Sequence, residues 1–445
     1  MNFDQKLNFN GKGQDLYRRA KNLIPGGTGL LGKRSELYLP ELWPAYYKRA
    51  KGIAIWDLDD NKYLDFTMVG IGTSILGYAD DDVVSAVSQA VANGSMTTLN
   101  PPEEVELAEL LCEFHPWASK VKYARTGGEI MSMAIRIARA STGRSKIAFC
   151  GYHGWHDWYL SVNLSNSQGL DNQLLPGLEP LGVLKEMAGT AMAFNYNDIE
   201  SLKELIRENP GEIAAIVLEP VRSDMPQDGF LEEVRKIATD NNAVLVFDEI
   251  TSGWRTRTSG VHMDFGVTPD LAAFAKTMSN GIPMAALIGI GDVMDYAQRT
   301  FISSAYWTER LGPVAAVATL KKHAQLDVGS KVCETGLLVK KLWQEVSDRH
   351  GMNLKISGLA SLATFQFKAE DPAPIMTLHV QNMLKQGFLA SNQFYATNAH
   401  TVEDVNKYIE AFDKSMAMIS DAVRDGVVLE HLEGPIKHMG FARLT

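Results

Sequence analysis

Residues 243–249 read Ala-Val-Leu-Val-Phe-Asp-Glu, and residues 271–276 read Leu-Ala-Ala-Phe-Ala-Lys. The first is a short apolar run, rich in β-branched residues and closed by two acids, as a strand buried on both faces of a parallel sheet would be. The second is a like run that stops at Lys276, ahead of the turn-forming Ser279-Asn280-Gly281. An acid ending one strand and a lysine ending another put two ionisable groups on one sheet edge. Open α/β sheets bind their ligands outside the carboxyl ends of the strands. Each residue alone is more simply a solvated strand end, so the reading depends on what else reaches that edge.

Working outward, strand and helix alternate from about residue 120. Strands are expected at 121–124, 147–150 and 213–218, and helices at 129–140, 198–207 and 231–239, a pattern that implies a parallel sheet with right-handed crossovers. Ahead of it, 15–23 forms a helix, 52–66 a hairpin turning near Asp59-Asp60-Asn61, and 80–92 and 103–114 amphipathic helices. Beyond Gly312-Pro313 the chain turns helical, at 314–325, 331–349 and 403–424. Apolar runs at 362–367 and 387–390 read as strands of a smaller sheet. The expected organisation is a large domain over 71–318 and a smaller α+β lobe built from 1–70 and 319–445.

The 445 residues carry a formal charge of -10 and no cluster of Lys or Arg, which argues against a nucleic-acid grip. Cys112, Cys150 and Cys333 are odd in number and far apart, so no disulfide framework or zinc spacing follows. No signal-peptide core or membrane-length apolar run is present. A cytoplasmic protein that binds neither membrane nor nucleic acid is expected. Two motifs fail on context. Gly27-Thr-Gly-Leu-Leu-Gly32 is a literal G-x-G-x-x-G, but it follows a helix and precedes none. Asp57, Asp59 and Asn61 imitate a calcium loop, yet Lys62 and Met68 stand where glycine and glutamate are required.

Five strand ends face the same way. After 121–124 comes Arg125-Thr-Gly-Gly-Glu129, a glycine turn opening a helix, whose N–H groups and dipole suit a phosphate. After 147–150 comes Gly151-Tyr-His-Gly-Trp-His156, where an aromatic can stack on a flat ring. Its two histidines invite a metal, but no third ligand is apparent. Glu219, Asp248 and Lys276 complete the set. Pyridoxal phosphate is the chemistry that unites them: a lysine amine for the aldehyde, a carboxylate to keep the pyridine nitrogen protonated, a helix N-terminus for the phosphate and an aromatic for the ring face.

Over almost its whole length the chain resembles the class III, fold-type I pyridoxal-phosphate aminotransferases, most of all the glutamate-1-semialdehyde aminomutase branch. The resemblance rests on Ile24-Pro-Gly-Gly27, Trp56-Asp57, Leu64-Asp-Phe66, the Gly-Gly-Glu turn, Tyr152-His-Gly154, Leu218-Glu-Pro220, Val246-Phe-Asp-Glu249 with Gly253-Trp-Arg255, Lys276, and the segment from Thr308 to Pro313. It implies an α/β fold with a mostly parallel central sheet covered by helices. It implies that Lys276 carries the cofactor as a Schiff base, that Asp248 pairs with the pyridine nitrogen, and that Tyr152 stacks on the ring beside His153 and Glu219. Gly127 and Gly128 would bind the phosphate, and Thr308 would reach it from a neighbouring subunit, which makes the protein a homodimer with shared active sites.

Departures bear on the substrate. Gly128 stands where the family usually has threonine. Arg34 lies near the aminomutase arginine that suits a substrate carboxylate, with Lys33 as competitor, and residues 306–310 are bulkier and more charged than the family's small-residue stretch. Amino transfer from an amino donor to an aldehyde or ketone is the leading expectation. An intramolecular aminomutase or epimerase is the alternative, and a non-catalytic cofactor-binding protein the third. The basic pair at 33–34 is compatible with a carboxylate or phosphate on the acceptor, such as a small phosphorylated or sugar-derived carbonyl compound.

Overall fold

Ile213–Leu218 is buried at every residue, so its sequence, Ile-Ala-Ala-Ile-Val-Leu, shows no polar alternation. It is β4 of a seven-stranded sheet whose other strands are β1 (Lys120–Ala124), β2 (Lys146–Cys150), β3 (Ala191–Ala193), β5 (Val244–Asp248), β6 (Leu271–Phe274) and β7 (Ala285–Gly289). The order across the sheet is β1-β7-β6-β5-β4-β2-β3. Only β7 is reversed, running antiparallel to β1 and to β6. β1 therefore shares its direction with β2 to β6, and their carboxyl ends lie along one edge. The computed structural model describes residues 6–173, 177–221 and 223–438.

Helices cover both faces. α1 (Asp81–Ala92), α2 (Glu103–Phe114), α3 (Gly127–Thr142), α4 (Ile199–Glu208), α5 (Phe230–Asp240) and α6 (Leu311–Leu326) belong with the sheet to one compact unit, Asp81–Gly329. Val244 and Val246 join Ile130, Ala134 and Ile137 of α3 in one core. Leu245 and Phe247 point the other way, to Leu231 and Val234 of α5. The alternation carries through the strand end, so that Asp248 continues the α3 face and Glu249 the α5 face.

A second compact unit takes the chain up to Asp80 and from Ser330 onward. The sequence reading puts these joins at 70/71 and 318/319; the changeovers fall at 80/81 and 329/330, the second because α6 packs against α1, α2 and the turn after Lys276 inside the larger unit. The runs at 362–367 and 387–390 do not share one sheet. Leu362–Phe367 lies between Leu354–Ser357 and Gln393–Tyr395 in a three-stranded antiparallel sheet. Phe388–Ala390 pairs in parallel with Leu64–Phe66, in a sheet completed by Ala54–Asp57 and Tyr47–Lys51. A pairing between segments more than three hundred residues apart leaves no mark in local pattern. Among the described residues no helix is long and apolar enough to cross a membrane.

Candidate active site

Asp248, the last residue of β5, lies opposite Ala273 of β6. Lys276 comes three residues later, at the same sheet edge. Its Nζ donates a 2.8 Å hydrogen bond to Oγ1 of Thr251, in the loop that leaves Asp248. Lys276 itself has φ +46°, a left-handed conformation that costs a residue with a Cβ roughly 1–2 kcal/mol. Strain of this kind persists where the surroundings impose it, and it clusters at functional sites.

Asp248 is 2% exposed. Its Oδ1 accepts the Ile250 N–H at 3.0 Å, and its Oδ2 lies 2.8 Å from Nδ1 of His153. The His153 ring packs parallel to Trp158, and its Nε2 faces the Cys150 carbonyl oxygen at 3.1 Å. His153 is therefore committed to Asp248 rather than to a metal. Among the described residues no three His, Cys, Asp or Glu side chains converge on one point. Tyr152 sits half-buried against the α3-side core with its ring edge-on to Tyr159. Its N–H donates to Glu219 Oε2 at 3.0 Å. Gly151 (φ +109°) must be glycine here, since a Cβ would fall 2.8 Å from that same oxygen. Glu219 thus contacts the backbone of the loop that presents Tyr152.

At the start of α3, Thr126 and Glu129 form a capping box: the Thr126 hydroxyl accepts the Glu129 N–H, and Glu129 Oε2 accepts the Thr126 N–H at 2.9 Å. The box draws Gly127 and Gly128 into the first turn. Their N–H groups have no partner among the described residues, which leaves two donors and the positive end of a sixteen-residue helix for an anion.

Arg125 clamps the 305–310 segment beside this turn. Its Nε pairs with Glu309 Oε1 at 2.8 Å, and its Nη2 donates to the carbonyl oxygens of Trp307 and Glu309. Trp307 Nε1 donates to Glu129 Oε1 at 3.3 Å. The Glu309 carboxylate also caps α6, accepting the N–H groups of Leu311 and Gly312, and Arg310 pairs with Glu103 at 2.6 Å. The charges at 309 and 310, which set this segment apart in the sequence, hold it in place. Thr308 is exposed, its hydroxyl donating to the Ala305 carbonyl oxygen, on the rim of a small cavity with Asn93, Ser95 and Asn100. In the second unit, Arg34 packs its guanidinium over Gly26, its buried Nε has no partner among the described residues, and Lys33 is exposed.

Sequence reasoning missed Thr251, Arg125 and a second buried pair, Glu249 with His262. Thr251 carried a usable signal, standing three residues past Asp248 on the same strand-end loop. The other two reveal themselves only through distant contacts.

An amine, a buried carboxylate beside it, an aromatic and a set of unpartnered N–H donors at one sheet edge fit an aldehyde, a pyridine nitrogen, a flat ring and a phosphate. Fold and site define a fold-type I pyridoxal-phosphate transferase. The sequence profile of the family "Aminotransferase class-III" matches residues 40–421, and the chain belongs to that family. It is 31% identical over 428 residues to the 3-aminobutyryl-CoA aminotransferase of Cloacimonas acidaminovorans, covering 92% of this chain and 97% of that one. It is 30% identical over 431 residues to the glutamate-1-semialdehyde 2,1-aminomutase of Nitrosopumilus maritimus, covering 91% and 99%. The FumI protein of Sphingopyxis sp. MTA144, solved with pyridoxal phosphate, superposes with a TM-score of 0.84 at 28% identity over 94% of this chain and 98% of that one. The protein is a pyridoxal-phosphate-dependent aminotransferase acting on a small-molecule amino donor and a carbonyl acceptor.

Proposed function

We propose that Lys276 is the residue on which amino transfer turns, with Asp248, Tyr152, Gly127 and Gly128 holding the cofactor around it. The observation that carries this is the convergence of Lys276 and Asp248 at adjacent strand ends, joined through Thr251. When bound, pyridoxal phosphate supplies an electron sink that acidifies the carbon bearing the donor's amine. Lys276 Nζ would hold the aldehyde carbon, and when freed by a donor amine the same nitrogen would serve as the base and acid that moves the proton at the donor's carbon. Asp248 would hold the proton on the ring nitrogen, and Tyr152 would cover the ring face. His153 fixes the Asp248 carboxylate, while Glu219 fixes the loop that presents Tyr152. Replacing Lys276 with alanine is expected to lower amino transfer by on the order of 10⁴-fold and to erase the absorbance of the lysine-bound cofactor. A variant that keeps both ends the proposal.

The aminomutase reading draws on the 30% identity to the Nitrosopumilus enzyme. Supplying one amino substrate without a carbonyl acceptor separates the two, because isomer formation with no keto product belongs to the mutase. Arg34 is the better of the two candidate substrate cations, given its unpartnered buried Nε, and suits a carboxylate or phosphate on the substrate. We place the protein in the cytoplasm, where its three free cysteines stay reduced. We read it as a homodimer in which Thr308 serves the partner's phosphate. Leu99, Phe301 and Tyr306, on the two segments that meet around Thr308, are 80%, 89% and 72% exposed and supply an apolar surface for the partner. Light scattering on the purified protein tests this; a monomer removes the role of Thr308.

A further inference from the structure

The turn at the head of α3 meets a side chain to which the cofactor assignment gives no task. A Cβ built on Gly128 would lie 2.8 Å from Cδ2 and 2.9 Å from Nε2 of His156. The imidazole occupies the space that any larger residue at 128 would claim. Its loop is held close: Gly154 has φ +101°, and a Cβ there would come within 3.2 Å of Gly128 Cα. The backbone at His156 is pinned as well, because its carbonyl oxygen accepts the N–H groups of Tyr159 and Leu160 at 3.0 and 3.2 Å. The ring stands beside Trp155, with centroids 4.6 Å apart.

The imidazole has no hydrogen-bond partner among the described residues. Partial burial lowers its proton affinity, so at neutral pH it is an uncharged ring with one N–H to give. The donors next to it, the N–H groups of Gly127 and Gly128, are equally unpartnered. The metal that the two-histidine spacing suggests has no second ligand here, because His153 is committed to Asp248. An imidazole N–H and two backbone N–H groups gathered at a helix N-terminus suit one anionic oxygen cluster.

We propose that His156 is a phosphate ligand of the cofactor, donating its ring N–H beside Gly127 and Gly128 and taking the place of the hydroxyl that a threonine at 128 would supply. This rests on the assignment of that turn to the phosphate. The test compares dissociation constants of pyridoxal phosphate and of pyridoxal, which lacks the phosphate, by absorbance titration of the full chain. His156→Ala is expected to cut the preference for the phosphorylated form roughly ten- to a hundred-fold while pyridoxal binding holds. His156→Phe keeps the ring's volume on Gly128 but removes the donor, and is expected to lose the preference equally; His156→Gln, with its amide N–H, retains most of it. Adding Gly128→Thr to His156→Ala restores a hydroxyl and recovers part of the loss. A preference unchanged in both the Ala and Phe variants overturns the proposal. So does equal weakening of both ligands, which marks a packing residue. If the unaltered chain itself shows no preference for the phosphorylated form, the fault lies with the assignment of the turn and not with His156.

Discussion

Asp248 and Glu249 are neighbours in the chain, each buried against a histidine, yet the two pairs are built differently. Strand alternation sends them to opposite faces of the sheet. His153 has Asp248 Oδ2 on one ring nitrogen, at 2.8 Å, and a carbonyl oxygen on the other, at 3.1 Å. Both are acceptors where Asp248 is a carboxylate, so both contacts are hydrogen bonds only when both ring nitrogens carry hydrogen. His262 donates from Nδ1 to Glu249 Oε1 at 2.8 Å and accepts at Nε2 from the Trp117 indole N–H at 3.0 Å. Indole only donates, so His262 Nε2 is the acceptor in that contact.

Glu249 also accepts the His262 N–H and the Ser252 hydroxyl, tying 249, 252 and 262 together. Burial alone would raise its carboxyl, but the hydrogen bonds from His262 and Ser252 outweigh that and hold it below the usual range. Among the described residues Asp248 accepts only from Ile250 and His153, which leaves lone pairs unused. One acid keeps capacity for the cofactor role proposed for it, and its neighbour staples the loop behind it.

The sharpest way to break this contrast is Asp248→Asn. Turnover is expected to fall by roughly 10²–10³-fold, with little change in melting temperature; near-normal turnover in a badly destabilised protein would reverse the assignment. Glu249→Ala should do the opposite, costing about 1–3 kcal/mol in urea unfolding for each of the His262 and Ser252 donors it leaves unpaired, with the cofactor spectrum of the folded fraction intact. Acid probes the same face. Burial holds His115 at about 4, and its ring stacks on His262 while bonding the Leu111 carbonyl oxygen and the Gly260 N–H. A histidine depressed on folding stabilises fully above its ordinary value of 6.5, and that contribution fades as pH falls towards 4, by about 3 kcal/mol in all. The Glu249 contribution is lost lower still, below its ordinary 4.5. Stability measured against pH should show the two in that order, and His115→Gln should diminish the upper one, to which buried His323, His379 and His400 also contribute. The smallest effect is that of Trp117→Phe, which removes only the donor to His262. About 1–3 kcal/mol of stability should go, with turnover unchanged.

Much of the sheet is legible in residue pattern. Ile213–Leu218 and Glu103–Phe114 have the bounds their apolar runs predict. α3 starts two residues ahead of the expected Glu129, because the capping box pulls both glycines into the helix. β7 escapes notice because Ala-Ala-Leu-Ile-Gly has little strand character until it is sandwiched between β1 and β6. Pro372–Lys385 escapes because Asp-Pro-Ala-Pro reads as a turn, whereas Asp371 caps the helix and Pro372 opens it.

Lys276 and Asp248 stand out in the sequence because a charge that closes an apolar run marks where the strand ends and the sheet edge begins. Alternation with period two then sets which face each neighbouring residue joins. Their partners are another matter: Thr251 is 25 residues from Lys276 in the chain, and Trp117 is 145 from His262. No local pattern encodes contacts across such separations. They arise when strands pair and helices close over them, and it is there that Glu249 gains His262 and Gly128 gains the imidazole of His156.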